Sequence, residues 1–128
     1  PENPQPPKTT SEKLITNPIV EKAIRWTIGL PEWRATGELT KADLEKMTKL
    51  YLAEKKLTKV PKSLEKLTML EVLQLDGNRL TDVKGLEKLT QLRLLNLLGN
   101  PDLTKAQIAQ LRKTLPNCKI YCNLDLTK

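Results

Sequence analysis

The sequence predicts an α/β solenoid: a short stack of strand-and-return units with a parallel β-sheet on its concave face, a helical cap at the N-terminal end and a helix–strand cap at the C-terminal end. Three observations carry that prediction. Leucine supplies 25 of the 128 residues, while histidine and phenylalanine are absent and the aromatics are Trp26, Trp33, Tyr51 and Tyr121. Apolar residues recur every 22 or 23 residues from Met47 onward. Within each period they alternate briefly and then spread out, as a short strand followed by a loose return requires. A core of nearly uniform leucine suits one packing problem solved repeatedly, whereas a generic globular core mixes side-chain shapes to fill uneven gaps.

Residues 1–16 read as a Pro-rich linker, with Pro1, Pro4, Pro6 and Pro7 among polar residues favouring extended polyproline-II geometry. Residues 17–46 read as the N-terminal cap. Asn17-Pro18 has the form of a helix start, with Asn as N-cap and Pro at the first helical position. Val20, Ile24 and Ile28 then make one apolar stripe, ended by Gly29 and Pro31. Trp26 and Trp33 lie off the stripe and read as covers for an exposed end of the core. Thr40 and Asp43 form a capping box that opens a second, short helix with Leu44 and Met47 facing inward.

Residues 47–103 carry the repeats. Met47, Leu70, Leu92 and Leu115 align as position one of successive units. Position four then holds Leu50, Leu73, Leu95 and Cys118, and position six holds Leu52, Leu75, Leu97 and Ile120. Their period of two makes a strand with one face inward. Position nine holds Lys55, Asn78, Asn100 and Asn123, where an Asn amide can satisfy backbone groups as the chain turns a corner. The second half of each unit, such as residues 83–89, is expected to return along a loose or 3₁₀-like path. In residues 104–128 a capping box at Thr104 and Gln107 opens a true helix with Ile108, Leu111 and Leu115 on one stripe, halted by Pro116. A last strand follows over residues 118–122. It places Cys118 in the core as a leucine substitute and Cys122 near the surface. In an extended segment the two Cα atoms stand about 13 Å apart, too far for a disulfide, so both thiols are expected free.

These residues resemble the leucine-rich repeat family, whose pattern L-x-x-L-x-L-x-x-N-x-L is complete from Leu70 to Leu80 and nearly complete from Leu92 to Leu103. The stretch Val20 to Arg25, followed by Gly37 to Leu50, is similar to the helical cap of secreted bacterial members. The return Leu80-Thr-Asp-Val-Lys-Gly-Leu86 is similar to that of internalin-like proteins, and Asn100 to Ile120 resembles a closing unit of the same group. Two departures are Lys55 at the first corner and the small number of units. The resemblance implies partner binding as the default role, and a bacterial secreted, periplasmic or cell-surface location.

Outward side chains of the strands form the concave face in such an architecture. Position three gives Lys49, Val72, Leu94 and Asn117; position five gives Tyr51, Gln74, Asn96 and Lys119; position seven gives Ala53, Asp76, Leu98 and Tyr121. Val72, Leu94 and Leu98 are apolar where water would favour polar residues, and clustered exposed apolar surface marks interaction sites. The predicted partner-binding set is therefore Tyr51, Val72, Gln74, Leu94, Asn96, Leu98, Lys119 and Tyr121, facing a protein partner. Two other readings stay open: packing of Leu94 and Leu98 under the Trp33 loop or the tail Leu124-Asp-Leu126, and a weak homodimer through the same face.

Net charge is +7, which raises a second function class: electrostatic binding of an anionic polymer through a Lys-rich edge. A third makes the chain a structural spacer of a larger surface protein. The lysines are interspersed with acids, and the scarcity of Arg and aromatics argues against nucleic acid. Absence of histidine excludes a Ser-His-Asp triad, a Cys-His pair and most zinc sites. Cys122 lacks a base, and Gly77-Asn78 and Gly99-Asn100 are corner turns rather than phosphate loops. No enzymatic activity, cofactor or metal is expected. No apolar run reaches 18 residues, so no membrane span is expected. The opening stretch is itself linker, so the lack of a signal peptide carries no weight.

Overall fold

A computed structural model describes Ile15, residues 17–29 and residues 39–123. The expectations for the Pro-rich stretch before Ile15, for Pro31 and Trp33, and for the tail Leu124-Asp-Leu126 lie outside these residues. Helix α1 spans Pro18–Ile28, with the Asn17 carboxamide oxygen accepting from the Ile19 and Val20 N–H groups at 2.9 and 3.2 Å. Gly29 ends it in the left-handed conformation, with φ 62°. Val20 and Ile24 are buried and α1 packs against the first strand. Ile15, assigned from sequence to the linker, is buried and joins the core, so the packed unit includes a residue two positions before the helix cap. Helix α2 spans Lys41–Glu45 and starts with the expected reciprocal box: Thr40 Oγ1 accepts from the Asp43 N–H, and Asp43 Oδ2 accepts from the Thr40 N–H.

Four three-residue strands follow, β1 Lys49–Tyr51, β2 Val72–Gln74, β3 Leu94–Asn96 and β4 Lys119–Tyr121. They form one parallel sheet in sequence order. Between them the chain returns through 3₁₀ turns at Lys62–Lys66 and Leu86–Lys88, and then through helix α3, Lys105–Thr114. Leu50, Leu73, Leu95 and Ile120 pair across the sheet as its inward row, all buried. Leucines of the returns, Leu64, Leu67, Leu86 and Leu89, meet them from the other side.

Asn78 and Asn100 act as predicted at their corners, whereas Asn123, displaced by two residues, does not take the corner place. Asn78 Oδ1 accepts from the Lys55 and Leu57 N–H groups at 2.9 and 3.0 Å, and its Nδ2 donates to the Leu52 and Leu75 carbonyls, both at 2.9 Å. Asn100 repeats the motif one unit on, accepting from Leu80 N–H and donating to Leu75 and Leu97. Each Asn ties its own unit to the preceding one. Lys55 holds the corner of the first unit, which has no earlier repeat to tie, and β1 pairs with β2 in register without an Asn there.

The last unit departs from the expected alignment by two residues. Ile120, not Cys118, pairs with Leu95, and Lys119 and Tyr121 pair with Leu94 and Asn96. Cys118 is half-buried against the core edge and Cys122 is buried at 2 % exposure, the reverse of the expectation. The reason lies in α3. A helix advances about 1.5 Å per residue against about 3.3 Å for extended chain, so a helical return consumes extra residues before the next strand begins. Cys122 consequently takes the inward place held by Leu52, Leu75 and Leu97. Neither Cys118 nor Cys122 is joined in a disulfide.

The outer edge of β4 is occupied by the chain's own side chain. Lys119 N–H and the Tyr121 carbonyl bond toward β3, which turns the Ile120 carbonyl away from it. Arg112 of α3 donates to that carbonyl at 3.0 Å, blunting an edge that would otherwise invite another strand.

Candidate protein-binding face

Three rows of outward side chains make the concave face. Lys49, Val72, Leu94 and Lys119 form the first; Tyr51, Gln74, Asn96 and Tyr121 form the second. Ala53, Asp76, Leu98 and Asn123 follow as the chain leaves the strands, where Glu54 N–H donates to the Asp76 carbonyl and Gly77 N–H to that of Leu98. Asn123 Oδ1 accepts from Gly99 N–H at 2.8 Å, so a side chain continues the ladder. Two predicted assignments are corrected: Lys119 stands beside Leu94 rather than Asn96, and Tyr121 stands beside Asn96 rather than Leu98. The cause is the same two-residue displacement of the last unit.

The corrected grid is bracketed. Exposed lysines flank Val72 and Leu94, and Tyr51 and Tyr121, 43 % and 40 % exposed, flank Gln74 and Asn96. With strands about 4.8 Å apart, each row spans about 14 Å. Val72, Leu94 and Leu98 are half-buried. The central amides are engaged with each other, Asn96 Nδ2 lying 3.4 Å from Gln74 Oε1, and Asn96 Oδ1 accepting from Leu98 N–H at 3.0 Å. Asp76 Oδ1 is buried and has no hydrogen-bond partner among the described residues.

Trp26 does not cover the core. It is 78 % exposed, because it sits two residues beyond Ile24 and two before Ile28, on the far side of the helix from their stripe. It lines a hollow of about 520 Å³ between α1 and the exit of β1, together with Ile19, Lys22, Ala23, Tyr51 and Lys55. Sequence reading passed over this site. The signal was present in the spacing of Ile19, Lys22, Ala23 and Trp26, a second helical face beside the buried one.

Burial pushes the Cys118 thiol up from 9.0 to about 11, so it stays protonated and unreactive at neutral pH. Among the described residues no three His, Cys, Asp or Glu side chains come together as a metal site, and no helix is long and apolar enough to cross a membrane.

The register, the corner asparagines and the leucine core together define a leucine-rich repeat solenoid, and residues 43–101 match the family described as leucine rich repeat. Within that class the chain resembles the internalins. An internalin (inlF) from Listeria monocytogenes is 27 % identical, with a TM-score of 0.64 over 84 % of this chain and 30 % of its own. Internalin C2 of the same organism is also 27 % identical with a TM-score of 0.64, matched over 84 % of this chain and 45 % of its own. A leucine-rich repeat protein of Leptospira interrogans is 34 % identical, with a TM-score of 0.54 over 64 % of this chain and 21 % of its own. The chain therefore spans less than half the length of these relatives. A search among curated proteins finds no match.

Proposed function

We propose that this chain is a non-enzymatic protein-interaction module that takes its partner on the concave strand face. Leucine-rich repeat proteins generally mediate protein–protein interaction. The observation that carries the reading here is the division of labour within the strands. Leu73, Leu95 and Leu97 close the core, while Val72, Leu94 and Leu98 stand half-buried on the opposite face. Covering three aliphatic side chains stabilises a contact by about 1.5 to 3 kcal/mol each before the costs of association. Leu94 and Leu98 are the anchors, with Tyr51, Val72, Gln74, Asn96, Lys119 and Tyr121 around them. Residues 17–46 and 104–128 serve as end caps for the repeats at 47–103. Resemblance to internalins supports a bacterial secreted, periplasmic or cell-surface location. A net charge of +7 weighs against a homodimer.

Binding of an anionic polymer has less support. On the return side Lys59, Lys62, Lys84 and Lys88 are interleaved with Glu65, Asp82 and Glu87, and Lys88 is paired with Glu65 at 3.3 Å. The test is affinity capture from extracts with the wild-type chain and a Leu94→Glu, Leu98→Glu variant of matched melting temperature. A protein retained by the wild type and lost by the variant is the expected result. Equal retention by both, with steep loss of binding as salt rises, would overturn the concave-face reading in favour of the lysine edge.

A further inference from the structure

We propose that the hollow between α1 and β1 receives an apolar side chain from an acidic segment of the partner protein, with Trp26 and Tyr51 as its walls and Lys22 and Lys55 as its charged rim. The inference rests on the protein-partner reading above and names the chemistry of that partner. Its first support is the helix itself. Val20 and Ile24 are buried in the core and Ile19 and Ala23 pack partly against it, while Ile19, Lys22, Ala23 and Trp26 recur at helical spacing and line the hollow, with Lys22 and Trp26 exposed. Trp26 is the most exposed of the large apolar side chains described, and a Trp standing in water beside a concavity has the character of a binding anchor.

Charge selects the occupant. Among the described residues lining the hollow are two lysines and no acid. An aromatic wall rimmed by two ammonium groups favours an apolar side chain flanked by carboxylates, whose charges also steer the encounter with a chain of net charge +7. The same excess charge disfavours a second copy of this chain as occupant. The volume of about 520 Å³ lies in the range of pockets that enclose small ligands, ample for one bulky side chain. Tyr51 belongs both to the hollow and to the concave face, so one partner segment can run from the hollow along the strands.

The test uses a blocked decapeptide of aspartate, glutamate and glycine with one central leucine. Its binding is read from the indole N–H signal of Trp26 in the intact chain, assigned by comparison with Trp26→Phe. The expected result is saturable movement of that signal at low salt. Replacing the leucine by glycine weakens binding about tenfold, and replacing the acids by lysine abolishes it. Lys22→Glu combined with Lys55→Glu also weakens it at least about tenfold, whereas Lys59→Glu with Lys62→Glu, the same charge change on the return side, leaves it within about threefold. An unmoved Trp26 signal, or equal binding by the two charge variants, would overturn the inference. Movement of the Val72, Leu94 and Leu98 methyl signals without Trp26 would also overturn it while supporting the concave face. Capture by that face, tested through Leu94 and Leu98, stands or falls separately.

Discussion

The carboxamide of Asn78 serves four backbone groups in two successive units, so removing it leaves Lys55 and Leu57 N–H and the Leu52 and Leu75 carbonyls without that partner in a region largely closed to water. Each stranded buried group costs about 1 to 3 kcal/mol. Asn78→Ala is therefore expected to lose about 3 kcal/mol or more in urea unfolding, while Lys55→Asn changes stability by less than about 0.5 kcal/mol because no earlier unit awaits its amide. Similar losses from the two would contradict this view of the corner. Cys118 makes a second case. Its folded pKa is raised, so the neutral thiol is favoured in the folded chain, and its contribution to stability is present below pH 9.0 and lost as pH climbs toward about 11. Alkylation of Cys118 in the folded chain, followed by peptide mass analysis, is expected to reach half its limiting rate near pH 11. A half-maximum near pH 9 would contradict a desolvated thiol.

Where strands end, successive units stack backbone on backbone, and glycine becomes obligatory in a graded way. Gly99 has φ +77°, and a Cβ there would sit 2.9 Å from the Gly77 amide nitrogen, which cannot move aside. A Cβ on Gly77 would meet the flexible Glu54 side chain at 2.8 Å, and one on Gly29 would meet no atom of the described residues within 4 Å. Glu54 itself holds φ 56° at the matching corner of the first unit, with no unit before it to crowd. Thermal melts of the three Gly→Ala variants are expected to rank Gly99 as most damaging, then Gly77, then Gly29, the last costing about 1 to 2 kcal/mol for its backbone conformation alone. An equal cost at all three would show that the stacking imposes no steric demand. The strands and helix starts were legible in the sequence because alternation and capping boxes are local signals. The final strand was misaligned by two residues because the cost of a helical return is a matter of axial rise, which a fixed repeat length conceals.

The solenoid was legible from a simple fact: no unit can bury its leucines alone, so Leu50, Leu73 and Leu95 must stack. Six of the eight predicted face residues stand in the rows that the constant repeat period assigns them; Lys119 and Tyr121 fell into wrong rows with the last unit. The helix face that carries Trp26 left a trace in the spacing of Ile19, Lys22, Ala23 and Trp26, but the hollow itself did not, since it exists only where α1 lies against β1. The core and the concave face both depend on alternate strand residues having opposite roles. Urea unfolding of Leu94→Glu, Leu98→Glu beside Leu95→Ala tests that dependence most directly. The double variant is predicted to lie within about 1 kcal/mol of wild type, as substitutions on an open face do, while Leu95→Ala loses about 2 to 5 kcal/mol from the core. A double variant as unstable as Leu95→Ala would contradict the account, because Leu94 and Leu98 would then be holding the fold together rather than standing free for a partner.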